Sequence, residues 1–369
     1  MVDGLGAATT SRPASAEELA AALGEAAAAG LAVIPVGGGR ALGMGDPPER
    51  FDLALETSGM DRLVDYSPAD LTVTVEAGMP LEALQAELAR AGQFLPLDPF
   101  GGPGHTVGGL LASGWSGPLR LRYGTARDYL VGLRVALPDG RLARSGGRVV
   151  KNVSGYDLNK LHLGALGSLG VIVEASFKVY PKPLSELSLG WAGPGLEEAW
   201  AQADRALSLA MPPVALELLQ LGGGLTLVGR IAGTEEGTRR IRRELGWQDA
   251  DDGFWEEHAR HGAERWARLS VRRGALSGLL RMLPEPARWM AQPGVGVAHW
   301  FDFEDPDRFV AVRQAAEAEG GSLVLLAAPP DFKRQVGAWG RPPATIDLMR
   351  RLRDAFDPRR TLSPGRYLV

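Results

Sequence analysis

The alternation of apolar and polar positions divides the chain into short strands and capped helices. Residues 71–76 (LTVTVE) and 171–180 (VIVEASFKVY) alternate between the two kinds of side chain and are rich in β-branched residues, which predicts strands. Residues 31–36 form another predicted strand, which leads directly into a run of glycines. Ser15, with a glutamate three residues later, forms a capping box and predicts a helix that ends at Gly30.

The remainder of the first half begins with a leader, residues 1–14, that we expect to be loose. Pro80 suits the first turn of a helix, and Gly92 suits the end of that helix. A turn at 138–140 (PDG) joins two predicted strands into a hairpin. The expected elements are a helix over 80–91, an extended stretch over 95–100, a helix over 105–113, and hairpin strands over 130–137 and 141–145.

Composition changes at Pro181-Lys182-Pro183, which we interpret as a linker. Beyond it, strand and helix patterns follow one another in the order β-α-β-β-α, which predicts an antiparallel sheet backed by helices. Residues 246–285 have no assignable pattern. The region beyond the linker is rich in tryptophan, and we expect these side chains in the core, with a partner surface as the alternative; they are tryptophans 247, 255, 266, 289, 300 and 339. Predicted strands cover 186–191, 214–220, 225–231, 296–303 and 322–326, predicted helices cover 196–210, 234–245 and 306–319, and 344–369 is expected to be a helix followed by an extended tail.

Composition limits the classes of function. The length of 369 residues suggests two or three domains, and the net charge of −4 argues against nucleic acid or an anionic membrane surface as a partner. Because the sequence contains no cysteine, it excludes thiolate catalysis, a cysteinyl-flavin bond and an iron–sulfur cluster held by this chain. Neither a signal peptide nor an apolar run of about 18 residues is visible, so the expected location is the cytoplasm.

Three glycine-rich segments carry the candidate chemistry. Residues 37–43 (GGGRALG) follow a predicted strand, and consecutive glycines allow backbone amides to converge on a pyrophosphate; a plain turn is the alternative. Residues 98–124 place hydroxyl side chains among glycines, as a planar polar ligand would need; a flexible loop is the alternative. Residues 148–174 end in a glycine turn and an apolar strand whose main chain can bind an aromatic ring.

In this order and spacing, the three segments resemble the vanillyl-alcohol-oxidase-type (PCMH-type) FAD-binding domain. The likeness covers 31–182 and returns at 354–367, where Phe356-Asp357-Pro358 and Leu362-Ser363-Pro364-Gly365 match the family's C-terminal pattern. The resemblance implies an α+β fold. It comprises a PCMH-type FAD-binding domain over 1–182 with two α+β subdomains (about 15–78 and 79–182), a small cap domain with an antiparallel sheet and helices over 183–340, and a C-terminal segment over 341–369 that returns to the FAD domain.

The resemblance also implies FAD as the cofactor. The first segment would bind the pyrophosphate, the second would run along the flavin, and the strand of the third would hold the adenine and ribityl end. The resemblance implies no catalytic residue and no metal ligand. The implied FAD-binding residues are Gly37, Gly38, Gly39, Arg40, Ala41, Leu42, Gly43, Asp98, Thr106, Gly108, Gly109, Ser113, Gly114, Trp115, Ser116, Tyr123, Gly170, Val171 and Ile172.

The chain departs from the family pattern in several places. Leu110, Gly114 and Ser363 stand where asparagines are usual, so flavin contacts at these positions rest on the backbone. Relatives that attach FAD through histidine often carry it in the first loop, where this chain has Arg40 and Ala41. We therefore expect non-covalent FAD, with His105 as the alternative attachment point.

Within the family, the chain resembles the smaller FAD-binding subunit of bacterial glycolate oxidase (glycolate dehydrogenase). The features that it shares with this subunit are a short cap and the sequences of residues 150–158 (VKNVSGYDL) and 357–366. The resemblance implies a subunit of an FAD-dependent oxidoreductase that acts on the CH–OH of a 2-hydroxy acid, taking part in glycolate oxidation to glyoxylate and in electron transfer. The implied partners are a larger flavin subunit and an iron–sulfur subunit, which would provide any membrane association.

Two other functions stay open. The paired histidines of the larger catalytic subunits have no counterpart here, and the one close pair, His258 and His261, is expected on a solvated helix face. In a stand-alone FAD-dependent 2-hydroxy-acid dehydrogenase, Arg122 or Arg127 would clamp the substrate carboxylate. In a flavin-containing assembly subunit, the flavin would have no redox role.

Overall fold

A computed structural model describes residues 1–147, 157–222, 224–251 and 253–369, within which the chain separates into two compact units. Most of the 150–158 motif therefore lies outside the described residues. The first unit comprises Met1–Ser116, Thr125–Lys182 and Pro342–Val369, and the second comprises Gly117–Gly124 and Pro183–Arg341.

The described residues contain helices and strands in alternation. The helices are α1 (Ala16–Ala28), α2 (Leu81–Arg90), α3 (Val107–Ser113), α4 (Arg120–Tyr123), α5 (Ala126–Tyr129), α6 (Asn159–His162), α7 (Leu196–Leu207), α8 (Glu235–Leu245), α9 (Phe254–Ala259), α10 (Arg273–Leu280), α11 (Pro306–Ala318), α12 (Pro330–Val336) and α13 (Ile346–Phe356). The strands are β1 (Thr9–Ser11), β2 (Val33–Val36), β3 (Leu53–Glu56), β4 (Leu63–Ser67), β5 (Thr72–Glu76), β6 (Gln93–Phe94), β7 (Leu130–Ala136), β8 (Leu142–Gly146), β9 (Val171–Lys178), β10 (Tyr180–Pro181), β11 (Ser185–Gly193), β12 (Ala215–Gln220), β13 (Leu225–Gly233), β14 (Gln248–Asp249), β15 (Trp266–Ser270), β16 (Arg288–Gln292), β17 (Val297–Phe301) and β18 (Ser322–Ala327).

Two main sheets form the first unit. One is parallel, with strand order β1-β3-β2, and the other is antiparallel, with order β4-β5-β9-β7-β8. Helix α1 begins as predicted, because Ser15 Oγ accepts a hydrogen bond from the Glu18 amide (3.2 Å). The leader is not loose, contrary to the prediction: β1 pairs with β3, and Val2 is buried. That pairing partner is over forty residues away, so no local pattern indicated it.

The C-terminal tail also joins the first unit. After α13, Leu362 forms a bridge with Val33 at the start of β2. The Val33 amide donates to the Thr361 carbonyl (2.8 Å), and the Ser363 amide donates to the Val33 carbonyl (2.8 Å). The tail therefore supports the strand that leads into the glycine loop.

The second unit is built on an eight-stranded sheet of order β14-β11-β13-β12-β16-β17-β15-β18, and every adjacent pair in it is antiparallel. Helices including α7, α8, α10 and α11 pack on one face of this sheet around a single core. Trp247, Trp289 and Trp300 lie in that core, as expected. The stretch 246–285, which the sequence left unassigned, supplies α9, α10, β14 and β15.

Candidate cofactor site

Three consecutive glycines, Gly37–Gly39, follow β2 and form part of the wall of a cleft in the first unit. A side chain at Gly38 would bring its Cβ to 1.7 Å from the Gly104 carbonyl oxygen, and one at Gly37 would bring its Cβ to 2.2 Å from Thr106 Oγ1. Gly39 has a φ of +77°, in the region that favours glycine. The close approach of these two backbone segments therefore requires glycine.

Thr106 connects the glycine loop to α3. Its Oγ1 accepts hydrogen bonds from the amides of Gly38 (3.2 Å) and Gly109 (3.3 Å), and the residue is the N-cap of α3. One buried hydroxyl therefore fixes both the start of the helix and the position of the loop.

Replacing this hydroxyl is expected to weaken FAD binding. In a Thr106→Val variant the Gly38 and Gly109 amides lose their acceptor, and we expect an affinity for FAD about 10-fold lower, equivalent to about 1.4 kcal/mol. Thr106→Ser keeps the acceptor and is the matched control. Flavin fluorescence quenching, titrated on the apoprotein, measures both; equal affinities in the two variants would contradict the assignment.

Arg366 places a positive charge at the cleft, and the site residues inferred from the sequence did not include it. Its Nη2 donates to the carbonyls of Leu42 and Met44 (2.7 Å each), so it fixes the stretch that follows the glycine loop. Arg366 is 3% exposed, and burial lowers the pKa of its guanidinium to about 10, which still leaves it charged at neutral pH. The residue follows the C-terminal Ser363-Pro364-Gly365 motif, which is the signal that could have identified it.

The cleft brings together about half of the residues inferred from the sequence and several others. Those inferred from the sequence that line it are Gly37, Gly38, Gly39, Arg40, Ala41, Leu42, Thr106, Gly109 and Ser113. The additional lining residues are Pro35, His105, Ala112, Leu166, Gly167 and Arg366.

The other inferred residues lie elsewhere. At two of these positions the fold itself explains the glycine. A Cβ at Gly108 would meet the Ala77 side chain at 2.7 Å, and Gly114 ends α3 with a φ of +67°. Gly170 precedes β9, and Val171 and Ile172 are the first two residues of β9 and pair with β7; all three are buried. Of the remaining ones, Tyr123 belongs to the second unit, and Gly43, Asp98, Trp115 and Ser116 belong to the first unit without lining the cleft.

His105, the alternative point for flavin attachment, lines the cleft but is engaged. Its Nε2 forms a hydrogen bond with the Phe100 carbonyl (2.8 Å), and its ring packs edge-on against Trp115 with centroids 5.4 Å apart. Burial lowers the pKa of His105, so its neutral form is favoured.

Four residues considered for catalysis or metal binding, two histidines and two arginines, lie in other settings. The expectation that His258 and His261 form a solvated pair is wrong: His258 is buried and stacks on Phe254 at 5.3 Å. Arg122 and Arg127 are exposed. In the residues that the structure describes, no group of three or more histidine or acidic side chains is arranged to hold a metal ion, and no helix is long and apolar enough to cross a membrane.

The cleft has features that suit a phosphate-bearing cofactor. A glycine cradle that any Cβ would fill lies beside a buried guanidinium, and glycine-rich backbone is the usual means of binding a pyrophosphate. Arg40, which is exposed, lies beside Gly104 at the same cleft.

Comparisons with known proteins agree with this geometry. Residues 7–146 match the family described as the FAD binding domain. The chain is 31% identical to glycolate oxidase subunit GlcE of Escherichia coli (strain K12), over 82% of this chain and 84% of that protein. It is 26% identical to glycolate oxidase subunit GlcD of Bacillus subtilis (strain 168), over 91% of this chain and 84% of that protein. A solved structure of alkyldihydroxyacetonephosphate synthase matches the fold with a TM-score of 0.71 at 18% identity, over 97% of this chain and 77% of that one.

The fold is of the α+β class, with a PCMH-type FAD-binding domain and a smaller domain built on an antiparallel sheet. Together with the similarity to the glycolate oxidase subunits, it defines a flavin-dependent oxidoreductase. The chain belongs to the PCMH-type FAD-binding family, which includes the glycolate oxidase subunits, and its cofactor is FAD.

Proposed function

We propose that this chain is the FAD-binding subunit of a glycolate oxidase and takes part in the oxidation of glycolate to glyoxylate. The observation that carries the proposal is the similarity to subunit GlcE, which extends over most of both chains. It supports FAD-dependent oxidation of a 2-hydroxy acid as the general activity. When bound, FAD supplies the two-electron acceptor for such an oxidation.

The residues of this chain have binding roles in the proposal. Gly37–Gly39 and Thr106 shape the wall against which the pyrophosphate lies, and Arg366 supplies the compensating positive charge. FAD is held non-covalently, since His105 is already engaged by Phe100 and Trp115. The remaining inferred contacts in the first unit, which include 114–116 and 170–172, would lie along the flavin and the adenine.

Partners follow from the chemistry of electron transfer. This sequence has no cysteine, so a one-electron path through a thiolate-bound cluster has to run through another chain. We propose a larger flavin subunit and an iron–sulfur subunit as the partners, in a cytoplasmic complex that reaches a membrane only through them.

An absorption spectrum followed by anaerobic glycolate addition tests the proposal. The isolated chain is expected to show an oxidised flavin spectrum that glycolate does not bleach. In the complex with the two partners, glycolate is expected to reduce the flavins, including the one on this chain.

Three results would contradict the proposal, each in a different way. Prompt bleaching in the isolated chain would favour the stand-alone 2-hydroxy-acid dehydrogenase. A flavin on this chain that stays oxidised in a turning-over complex would favour the assembly subunit. Failure of the chain to bind either partner would remove the subunit assignment itself.

A further inference from the structure

Helix α13 is amphipathic, but its apolar side is not buried. With about 3.6 residues per turn, all the apolar residues of this helix fall on one half of its circumference. They are Ile346, Leu348, Met349, Leu352, Ala355 and Phe356. Arg353 is the only residue of α13 that is buried, whereas Leu19 and Leu23 on the apolar side of α1 are 0% exposed. The apolar side of α13 therefore lacks the cover that α1 has.

Part of this apolar side faces solvent. Leu348, Leu352 and Ala355 are spaced by four and three residues, so they form one continuous apolar stripe along the helix. Leu348 is 49% exposed, Ala355 is exposed and Leu352 is half-buried. A single exposed leucine needs no explanation, but an apolar stripe that leads to a cavity indicates contact with another molecule.

A cavity of about 380 Å³ lies at the C-terminal end of the stripe. Ala355 and Phe356, the last two residues of α13, line it, together with Ala27 in the last turn of α1 and Pro138 in the hairpin turn. These elements all belong to the first unit. Because its walls are mainly apolar and its volume is that of a small-molecule pocket, the cavity can accept one large side chain of a docking protein.

One polar group in the wall of this cavity has no partner. Thr361 lines the cavity and is 2% exposed. Its amide donates to Asp357 Oδ1 (2.9 Å), but in the described part of the chain its Oγ1 forms no hydrogen bond. Buried hydroxyl groups are normally hydrogen-bonded, so this one is suited to a polar atom that enters the cavity. A side chain with an apolar body and a polar tip, such as tyrosine, fits both the walls and the hydroxyl.

The charge beside the stripe is positive. Arg351 borders the stripe, since residues three and four apart are neighbours on a helix, and it is exposed. The two carboxylates within α13 are engaged by other arginines: Asp347 pairs with Arg350 (2.9 Å), and Asp354 pairs with Arg360 (2.6 Å). Among the described residues, Arg351 therefore has no acidic partner.

A second cation lies at the cavity. Arg359 lines it, and its Nη1 donates to a carbonyl of α1 (3.0 Å), which fixes the guanidinium in place. The two carboxylates that line the cavity are both engaged, Asp139 by Arg141 (2.6 Å) and Asp357 by Arg353 (3.3 Å). Within the described ranges, the stripe and the cavity thus present two cations that have no counter-ion.

We propose that the stripe, the cavity, Arg351 and Arg359 together form a docking surface, the α13 surface, for an acidic amphipathic helix of a partner protein. The apolar side of the partner's helix covers Leu348 and Leu352, one of its side chains enters the cavity, and its carboxylates pair with the two arginines. Burial of the apolar stripe provides affinity, and the charge pairs select the partner and its orientation.

A second copy of this chain fits the α13 surface less well. A twofold dimer brings the same patch of both copies together. It would place Arg351 and Arg359 of each copy in one interface, where like charges repel, whereas an acidic partner compensates them. The partner's chemistry follows from the surface, and its identity as a subunit of the same glycolate oxidase rests on the proposed function.

Surface plasmon resonance with the FAD-loaded full chain tests the α13 surface. The proposed larger flavin subunit and the proposed iron–sulfur subunit are immobilised in turn, and the wild-type chain is expected to bind one of them. Leu348→Glu is expected to lower that affinity at least about 30-fold, because it places a carboxylate on the stripe opposite an acidic partner. Leu184→Glu is the matched control and is expected to change nothing, since Leu184 is 86% exposed and lies in the second unit.

Reversal of one charge tests the acidic character of the partner. Arg351→Glu is expected to lower the affinity about 10-fold, and this loss is expected to shrink at high ionic strength. Arg243→Glu, at an exposed position of α8 in the second unit, is the matched control and is expected to change nothing. The FAD content of each variant reports its folding. Because Arg351 is exposed, Arg351→Glu keeps the comparison decisive if Leu348→Glu does not fold.

Each contrary result has a distinct meaning. If Leu348→Glu binds as well as Leu184→Glu does, the α13 surface is wrong, and the proposed function stands because the wild type still binds. If the wild type binds neither subunit, the proposed function fails, and the partner assigned to this surface fails with it. If sedimentation shows a dimer of the chain that Leu348→Glu dissociates, the occupant is a second copy. If Leu348→Glu weakens binding but Arg351→Glu does not, the partner is not acidic, which overturns its proposed chemistry.

Discussion

Gly38→Ala is expected to lower the affinity for FAD about 100-fold, equivalent to about 2.7 kcal/mol. The added methyl group would lie 1.7 Å from the Gly104 carbonyl oxygen, which belongs to backbone and cannot rotate away as a side chain could. Either the glycine loop or the segment before α3 must therefore move. In both cases the Gly38 amide loses its hydrogen bond to Thr106 Oγ1. Fluorescence titration of the apoprotein with FAD measures the loss.

Gly278→Ala provides the matched control for this substitution. Gly278 lies inside α10 in the second unit, and a Cβ there meets nothing within 4 Å. Alanine favours a helix by up to about 1 kcal/mol over glycine, so this variant should be as stable as the wild type or more so, with unchanged FAD affinity. If Gly38→Ala binds FAD as tightly as Gly278→Ala does, the glycine loop is not the wall of the cofactor site.

The glycine loop and the longer helices, which are α1, α2, α7, α8, α11 and α13, were predictable from the sequence because their signals are local. Ser15 caps α1 through an amide three residues away, and the loop follows directly from β2. The strand patterns likewise predicted β5, β7 and β9, and beyond the linker β11, β12, β13, β17 and β18, with bounds close to those observed. Composition and periodicity predict a helix or strand when the interactions that stabilise it join residues close together in the sequence.

Features that depend on distant residues were not predictable. The strand β1 exists because it pairs with β3, and β15 is a strand in a stretch where no alternation was recognised. Arg366 reaches the site through a tail that joins β2 more than three hundred residues away in sequence. A contact of that kind leaves only a short motif in the sequence, and the motif indicates the family without indicating that Arg366 lies at the site.

Asp357→Ala is expected to lower the free energy of unfolding of the first unit by about 3–5 kcal/mol. The carboxylate is fully buried and lies 3.3 Å from Arg353, which is 1% exposed. It also accepts hydrogen bonds from the amides of Thr361 (2.9 Å) and Leu362 (2.8 Å). Removing it leaves one buried guanidinium without its counter-ion and two buried amides without an acceptor. Among the described residues, Arg353 would keep only its hydrogen bonds to the carbonyls of Ser168 and Leu362.

Asp354→Ala separates this effect from the loss of an ordinary ion pair. Asp354 pairs with Arg360 on the surface (2.6 Å), where such pairs contribute less than about 1 kcal/mol. Urea unfolding followed by circular dichroism compares the variants, and the release of FAD fluorescence marks the transition of the first unit. Because Leu362 and Ser363 bond to Val33 ahead of the glycine loop, Asp357→Ala should also release FAD at lower urea than Asp354→Ala does. Equal midpoints for the two variants would mean that the tail does not support the cofactor site.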